Sequence, residues 1–331
     1  MLTAKEYQGL YAIIPTPARA GADRYDATGT VDLDETERVI NALIRDGSSG
    51  LIVLGTTGEC ATLSQPDYDA FVECVLETVN RRVPVLVGAT ALGAHEAVRR
   101  LRKIRDLGAD GTLLGLPMWQ PVTTGEAVGF YEEISRLFPD LAVMAYANAR
   151  AFRYDFPLEF WVEVARRAPT VTSAKYSRVQ GLAQLLAATE GRINFMPIDM
   201  VVHEYYAIAP ETTTACWATA AAMDPTPAVA IMRAIQERRQ DAIDELAAAI
   251  RWANEPVQYI FDNPPEFAKY NIQVEKTRIN AAGYSSCGPL RPPYTELPEE
   301  YAEASRECGR RWARISKAYH GDFTFSDRPW A

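Results

Sequence analysis

The sequence predicts a closed (β/α)8 TIM barrel with a carboxy-terminal helical extension, and three observations carry that prediction. Short apolar, β-branched runs recur eight times before Pro225, and a helical pattern follows nearly every one. The runs are continuously hydrophobic rather than alternating, as strands covered on both faces are. Eight such units within about 220 residues are what a closed barrel needs. The rival, a doubly wound open sheet, lacks a GxGxxG after the first run.

In order, the runs are 11–15, 50–55, 83–88, 111–116, 142–147, 171–175, 193–197 and 213–218. After the first, Asp32 and Glu35 make a capping-box-like start, Val39, Ile40, Leu43 and Ile44 share one face, and Gly47 stops the helix. After the second, Ser64 caps a helix with Pro66 in its first turn and Phe71, Val75 and Val79 inward. Helices over 95–107, 124–138, 157–168, 182–190 and 201–209 follow the next five runs. Beyond Pro225 the strand signal stops. Helices are expected over 226–238, 241–253 and 265–282, then, after the proline-rich Gly288-Pro289-Leu290-Arg291-Pro292-Pro293, over 298–318. This gives a barrel over 1–225 and a helical region over 226–331.

Charge and composition exclude several functions. The net charge of −9 gives no general attraction for nucleic acid or anionic lipid. The five cysteines, Cys60, Cys74, Cys216, Cys287 and Cys308, are odd in number and form no CxxC pair, which fits reduced thiols in a cytoplasm. The amino terminus has no apolar run, and no stretch reaches the about 18 apolar residues of a membrane span, so a cytoplasmic protein is expected. Three histidines without HxxxH or HxH argue against a metal site.

Chemistry in such a barrel sits where strands end. The sixth run, Val171-Thr172-Ser173-Ala174-Lys175, carries an amine at its carboxyl end, a group parallel strands seldom bring to a core. Burial favours the neutral amine, the nucleophile of Schiff-base formation; alternatively Lys175 bends outward and pairs with a carboxylate. After the second run, Gly55-Thr56-Thr57-Gly58-Glu59 offers N–H and O–H donors that can converge on a carboxylate, or forms only a tight turn. Tyr146, followed by Ala147 and Asn148, is either a proton relay or a packing residue that ties down its hydroxyl. Together these parts suit a single chemistry, with an amine for a ketone, a nest for the adjacent carboxylate, and a phenol to move protons.

On the Gly55–Glu59 motif, Tyr146 and Lys175, in this order and spacing, the chain resembles the pyruvate-dependent class I aldolases typified by dihydrodipicolinate synthase and N-acetylneuraminate lyase. The resemblance covers about residues 8 to 320 and implies a barrel with carboxy-terminal helices, commonly a tetramer, acting through a lysine imine with no metal or organic cofactor. The departures fall in the substrate pocket. Pro117-Met118-Trp119-Gln120 stands where the synthases pair tyrosines, Ala151 where they place an arginine, with Arg150 adjacent, and Tyr176 where an acidic residue is usual. These changes, with Phe152, are expected to make the pocket more aromatic.

Gly58–Leu63, Leu116–Trp119, Tyr146–Asn148, Ala174–Tyr176, Lys269–Ile272 and Arg291–Tyr294 look like the hydratase-aldolases of polycyclic aromatic catabolism. That resemblance implies hydration and cleavage of an ortho-substituted benzylidenepyruvate to an aromatic aldehyde and pyruvate. It makes Lys175 and Tyr146 catalytic, Thr56, Thr57 and Gly58 the carboxylate site, Trp119 a wall of the aryl pocket, and Asn148 and Asn271 candidates to orient water. Asn271 could equally serve the helix surface. An ortho carboxylate would want a guanidinium, which Arg150, Arg153 or Arg178 can supply, and the carboxylated substrate is the one expected. Two alternatives stay open: an aldolase or dehydratase for an aliphatic 2-keto-3-deoxy acid, and a noncatalytic keto-acid sensor.

Overall fold

The apolar runs form strands buried over nearly their whole length, and the amphipathic stretches form helices that cover them. The structure, a computed structural model, describes residues 1–320; residues 321–331 of the expected carboxy-terminal region lie outside it. In order the elements are β1 (Gly9–Ile14), α1 (Leu33–Arg45), β2 (Gly50–Val53), α2 (Gln65–Val79), β3 (Val85–Gly88), α3 (Ala94–Asp106), β4 (Gly111–Leu114), α4 (Thr124–Leu137), β5 (Ala142–Tyr146), α5 (Ala149–Phe152), α6 (Leu158–Arg167), β6 (Val171–Lys175), α7 (Leu182–Ala188), β7 (Asn194–Met196), α8 (Val202–Ile208) and β8 (Ala215–Ala218). Then come α9 (Thr226–Gln236), α10 (Gln240–Phe261), α11 (Pro264–Ala282) and α12 (Glu299–Tyr319). The fold is a (β/α)8 barrel with carboxy-terminal helices.

The chain divides into two compact units. The first, Met1–Gly9 with Pro84–Trp217, pairs β3, β4, β5, β6 and β7 in parallel and in that order. Two of the hydroxyls within these strands are paired: Thr172 Oγ1 lies 3.0 Å from Tyr7 Oη, and Thr112 Oγ1 donates to the Val87 carbonyl at 2.8 Å. Such pairing removes the cost of burying them. Outside β6 and β7, the rings of Trp161, Tyr176 and Phe195 meet edge to face with centroids 5.0–5.7 Å apart. Successive residues of a strand point to opposite faces, so Tyr176 joins this helix-side cluster while Lys175 turns the other way. The expectation that Tyr176 enlarges the pocket is therefore corrected.

The second unit, Leu10–Val83 with the chain from Ala218 onward, pairs β1 with β2 in parallel and adds the carboxy-terminal helices. Asp32 caps α1 by accepting from Glu35 N at 3.0 Å, and Ser64 caps α2. Helix α10 runs on to Phe261, past the expected end at Ala253 and through Pro256. A proline cannot donate to the carbonyl four residues back. Here Arg311 Nη1 of α12 donates to that Trp252 carbonyl at 3.0 Å, so the helix continues on a borrowed donor.

Candidate active site

Parallel pairing brings the two candidate catalytic side chains together. Tyr146 and Lys175 are register partners as the last residues of β5 and β6, so both side chains leave the sheet at the same level. Lys175 is half-buried and Tyr146 is 7% exposed. The lysine Nζ lies 5.0 Å from the centre of the Tyr146 ring and 3.2 Å from that of Trp217. Trp217, on β8, is locked by its Nε1 donating to the Met196 carbonyl at 3.0 Å and its backbone N to the Pro197 carbonyl at 2.9 Å. Its face shields one side of the amine from water. Sequence reading passed over Trp217; its signal was a tryptophan at the carboxyl end of the eighth apolar run.

Tyr146 is held from two sides. Asn148 Nδ2 donates to its Oη at 3.4 Å, and Asn148 Oδ1 accepts from Ala151 N at 3.2 Å, which caps the short helix α5. That helix carries Phe152, whose ring meets Tyr146 edge to face at 5.2 Å. The tip of the Phe152 ring abuts Gly115, where any Cβ would overlap it. Phe152 thus supports the phenol and is buried, which corrects its expected place as a pocket wall.

The other expected ligands of this unit are exposed. Trp119 is 75% exposed on the loop after β4, and its carbonyl accepts from Arg153 Nη1 at 3.1 Å. Arg150 is on α5, and partial desolvation draws its guanidinium below its ordinary pKa. Arg178 is exposed, and its carbonyl accepts from Tyr205 Oη at 2.9 Å.

In the second unit, the loop after β2 is tightly determined. Leu54 and Glu59 both have left-handed backbone, at φ 60° and 55°, which for such side chains costs on the order of 1–3 kcal/mol each. Gly58 has no room for a side chain, since a Cβ would come 2.7 Å from Leu54 N. Glu59 N donates to Thr56 O at 2.9 Å, Cys60 N to Gly55 O at 3.3 Å, and Thr16 Oγ1 to Gly58 O at 2.8 Å. Thr57 is buried and Thr56 half-buried. The Glu59 carboxylate accepts from Arg291 and, at 3.2 Å, from Lys276, whose pKa burial lowers. Sequence reading missed both partners, which lie more than two hundred residues further along the chain. On α11, Asn271 Oδ1 is buried without a hydrogen-bond partner among the described residues.

No group of three or more potential metal ligands occurs among the described residues, and none of their helices is long and apolar enough to cross a membrane.

A barrel with a lysine and a tyrosine in register at its strand ends suits lyase chemistry, and comparison with known proteins shows a lyase. Residues 19–180 match the Dihydrodipicolinate synthetase family, and the chain belongs to that family as a lyase. It is 39% identical to a trans-O-hydroxybenzylidenepyruvate hydratase-aldolase of Sphingobium xenophagum, over 96% of this chain and 97% of that one. It is 34% identical to a trans-2'-carboxybenzalpyruvate hydratase-aldolase of Nocardioides sp. (strain KP7), over 96% of both. Among solved structures, PhdJ bound to substrate intermediate superposes with a TM-score of 0.92 at 34% identity, covering 96% of this chain and 99% of that one.

Proposed function

We propose that this enzyme is a Schiff-base-forming hydratase-aldolase of aromatic hydrocarbon catabolism that cleaves an ortho-substituted benzylidenepyruvate to an aromatic aldehyde and pyruvate. The observation that carries the reading is Lys175 held between Tyr146 and the face of Trp217. Full-length similarity to hydratase-aldolases supports the reaction type.

The amine of Lys175 condenses with the keto carbon and releases one water, giving an iminium conjugated to the alkene. Water then adds at the benzylic carbon, and the adjacent carbon takes a proton. Tyr146 relays protons during imine formation and afterwards removes the benzylic hydroxyl proton as the carbon–carbon bond breaks. The aldehyde leaves, the enamine is protonated, and a water hydrolyses the iminium to pyruvate and free lysine. Thr56, Thr57 and Gly58 take the pyruvyl carboxylate. Asn148, already on the phenol, and Asn271, with its bare oxygen, orient the added water or hydroxyl. No metal or organic cofactor enters these steps.

For the ring substituent we take a carboxylate, on the strength of Arg150, which lies on α5 four residues beyond Tyr146 and is partly desolvated; Arg178, on the loop after β6, is the secondary candidate. The higher identity to hydroxybenzylidenepyruvate enzymes favours a phenol instead. Trp119 is assigned to the mouth of the aryl site. A cytoplasmic homotetramer completes the reading, checked by light scattering. The deciding experiment is borohydride reduction with pyruvate, which should leave a mass adduct on Lys175. It is followed by a panel of carboxylated, hydroxylated and aliphatic aldehydes in the condensation direction. No adduct, or a preference for aliphatic aldehydes, would sink it.

A further inference from the structure

Glu59, Lys276 and Arg291 are 2%, 1% and 4% exposed, and with Asp67 they form a buried network of four charges that sum to zero. A guanidinium has five N–H donors, and Arg291 uses all of them. Nε donates to Thr30 Oγ1 at 2.9 Å, Nη1 to Thr16 O at 3.0 Å and to Glu59, and Nη2 to Pro17 O and Thr30 O, both at 3.1 Å. Thr30 is fixed in turn by Asp67, and Lys276 also donates to Pro289 O at 2.7 Å. The connections close on themselves: Arg291 grips Thr16 and Glu59, Thr16 grips Gly58, and Glu59 N closes the turn on Thr56. Two cations thus converge on one carboxylate at the end of a strained four-residue turn, far more anchorage than a connecting loop requires.

We propose that Glu59, Lys276 and Arg291 are positioning residues that hold the Thr56–Thr57 turn in the shape that receives the substrate carboxylate, so that the proline-rich segment 288–293 sets affinity for the pyruvyl group. The proposal rests on the reading of Thr56 and Thr57 as the carboxylate site. None of the three anchors touches the substrate.

The test compares two ketones that differ in the carboxylate alone. Rates of reductive trapping on Lys175 are measured with pyruvate and with acetone for the wild type, Glu59→Gln, Arg291→Lys and Thr57→Val, folding being checked by circular dichroism. A misplacement of about 1 Å can cost on the order of a hundredfold, so the two anchor variants should lose at least about tenfold on pyruvate relative to acetone. Equal losses on both ketones, or no loss, overturn the proposal, because an anchor that merely supports the fold has no preference for a carboxylate. A Thr57→Val variant without selective loss removes the carboxylate reading itself, and the proposal with it. Selective loss in Thr57→Val beside flat anchor variants overturns only the anchoring role. Hydrogen exchange of the wild type needs no variant to fold: on pyruvate binding, peptides covering 55–60 and 288–294 should gain protection together. Protection of the first without the second overturns the proposal.

Discussion

Tyr146 and Lys175 face each other as register partners at the ends of adjacent parallel strands, with the amine 5.0 Å from the centre of the phenol ring. Neither loop conformation nor domain movement sets this distance; the hydrogen-bond ladder of β5 and β6 does. Sites built on strands hold their geometry better than sites built on loops.

Replacing Lys175 with Ala should abolish the pyruvate adduct seen by mass spectrometry after borohydride reduction while leaving the fold intact. An adduct on Lys276 or any other lysine would overturn the assignment.

Tyr146→Phe keeps the ring against Phe152 and removes only the hydroxyl, to which Asn148 donates. Turnover should fall by about two to four powers of ten, the usual contribution of a proton relay, with little change in melting temperature. Steady-state kinetics showing an unchanged rate would remove the phenol from the mechanism.

Gly115→Ala places a methyl in the space of the Phe152 ring. Overpacking of this kind costs about 1–3 kcal/mol, and activity should fall because the ring that steadies Tyr146 must move. Combining it with Phe152→Leu should recover part of the stability in denaturant titrations; strictly additive losses would show that the two positions do not share the space.

Asn271→Ala removes a buried oxygen that has no partner among the described residues. Stability should hold or rise, since such an atom costs about 1–3 kcal/mol, while kcat/KM for the aryl substrate should drop. Loss of stability with unchanged kinetics would mark Asn271 as structural.

If Arg150 holds a ring carboxylate, Arg150→Leu should harm turnover of the carboxylated substrate more than that of the hydroxylated one. Equal losses in a two-substrate comparison would refute that role, and Arg178→Leu would then be measured in the same way.

The juxtaposition of Lys175 and Tyr146 was legible because an amine at the end of an apolar run violates the composition of buried strands, and the phenol was noticed for its place at a neighbouring strand end. Trp217 escaped notice because its aromatic side chain obeys that composition. Tyr176 and Phe152 were placed in the pocket because one-dimensional spacing does not say which face a residue takes once the strand has ended; the pleat turns Tyr176 to the helices, and the Asn148 cap turns Phe152 onto Gly115. The anchoring of Glu59 was hidden because its partners come from α11 and the proline-rich segment, and local pattern says nothing about pairs so distant. Helix α10 was ended early for the same reason: Pro256 breaks a helix unless something elsewhere makes good its missing donor.

That repair binds two parts of the chain into mutual dependence. Shortening the protein ahead of α12 would strip the Trp252 oxygen of the guanidinium that compensates for Pro256, leaving α10 free to fray where the proline interrupts it. Any trimmed version intended for engineering therefore has to retain Arg311 or trade Pro256 for a residue with its own amide hydrogen.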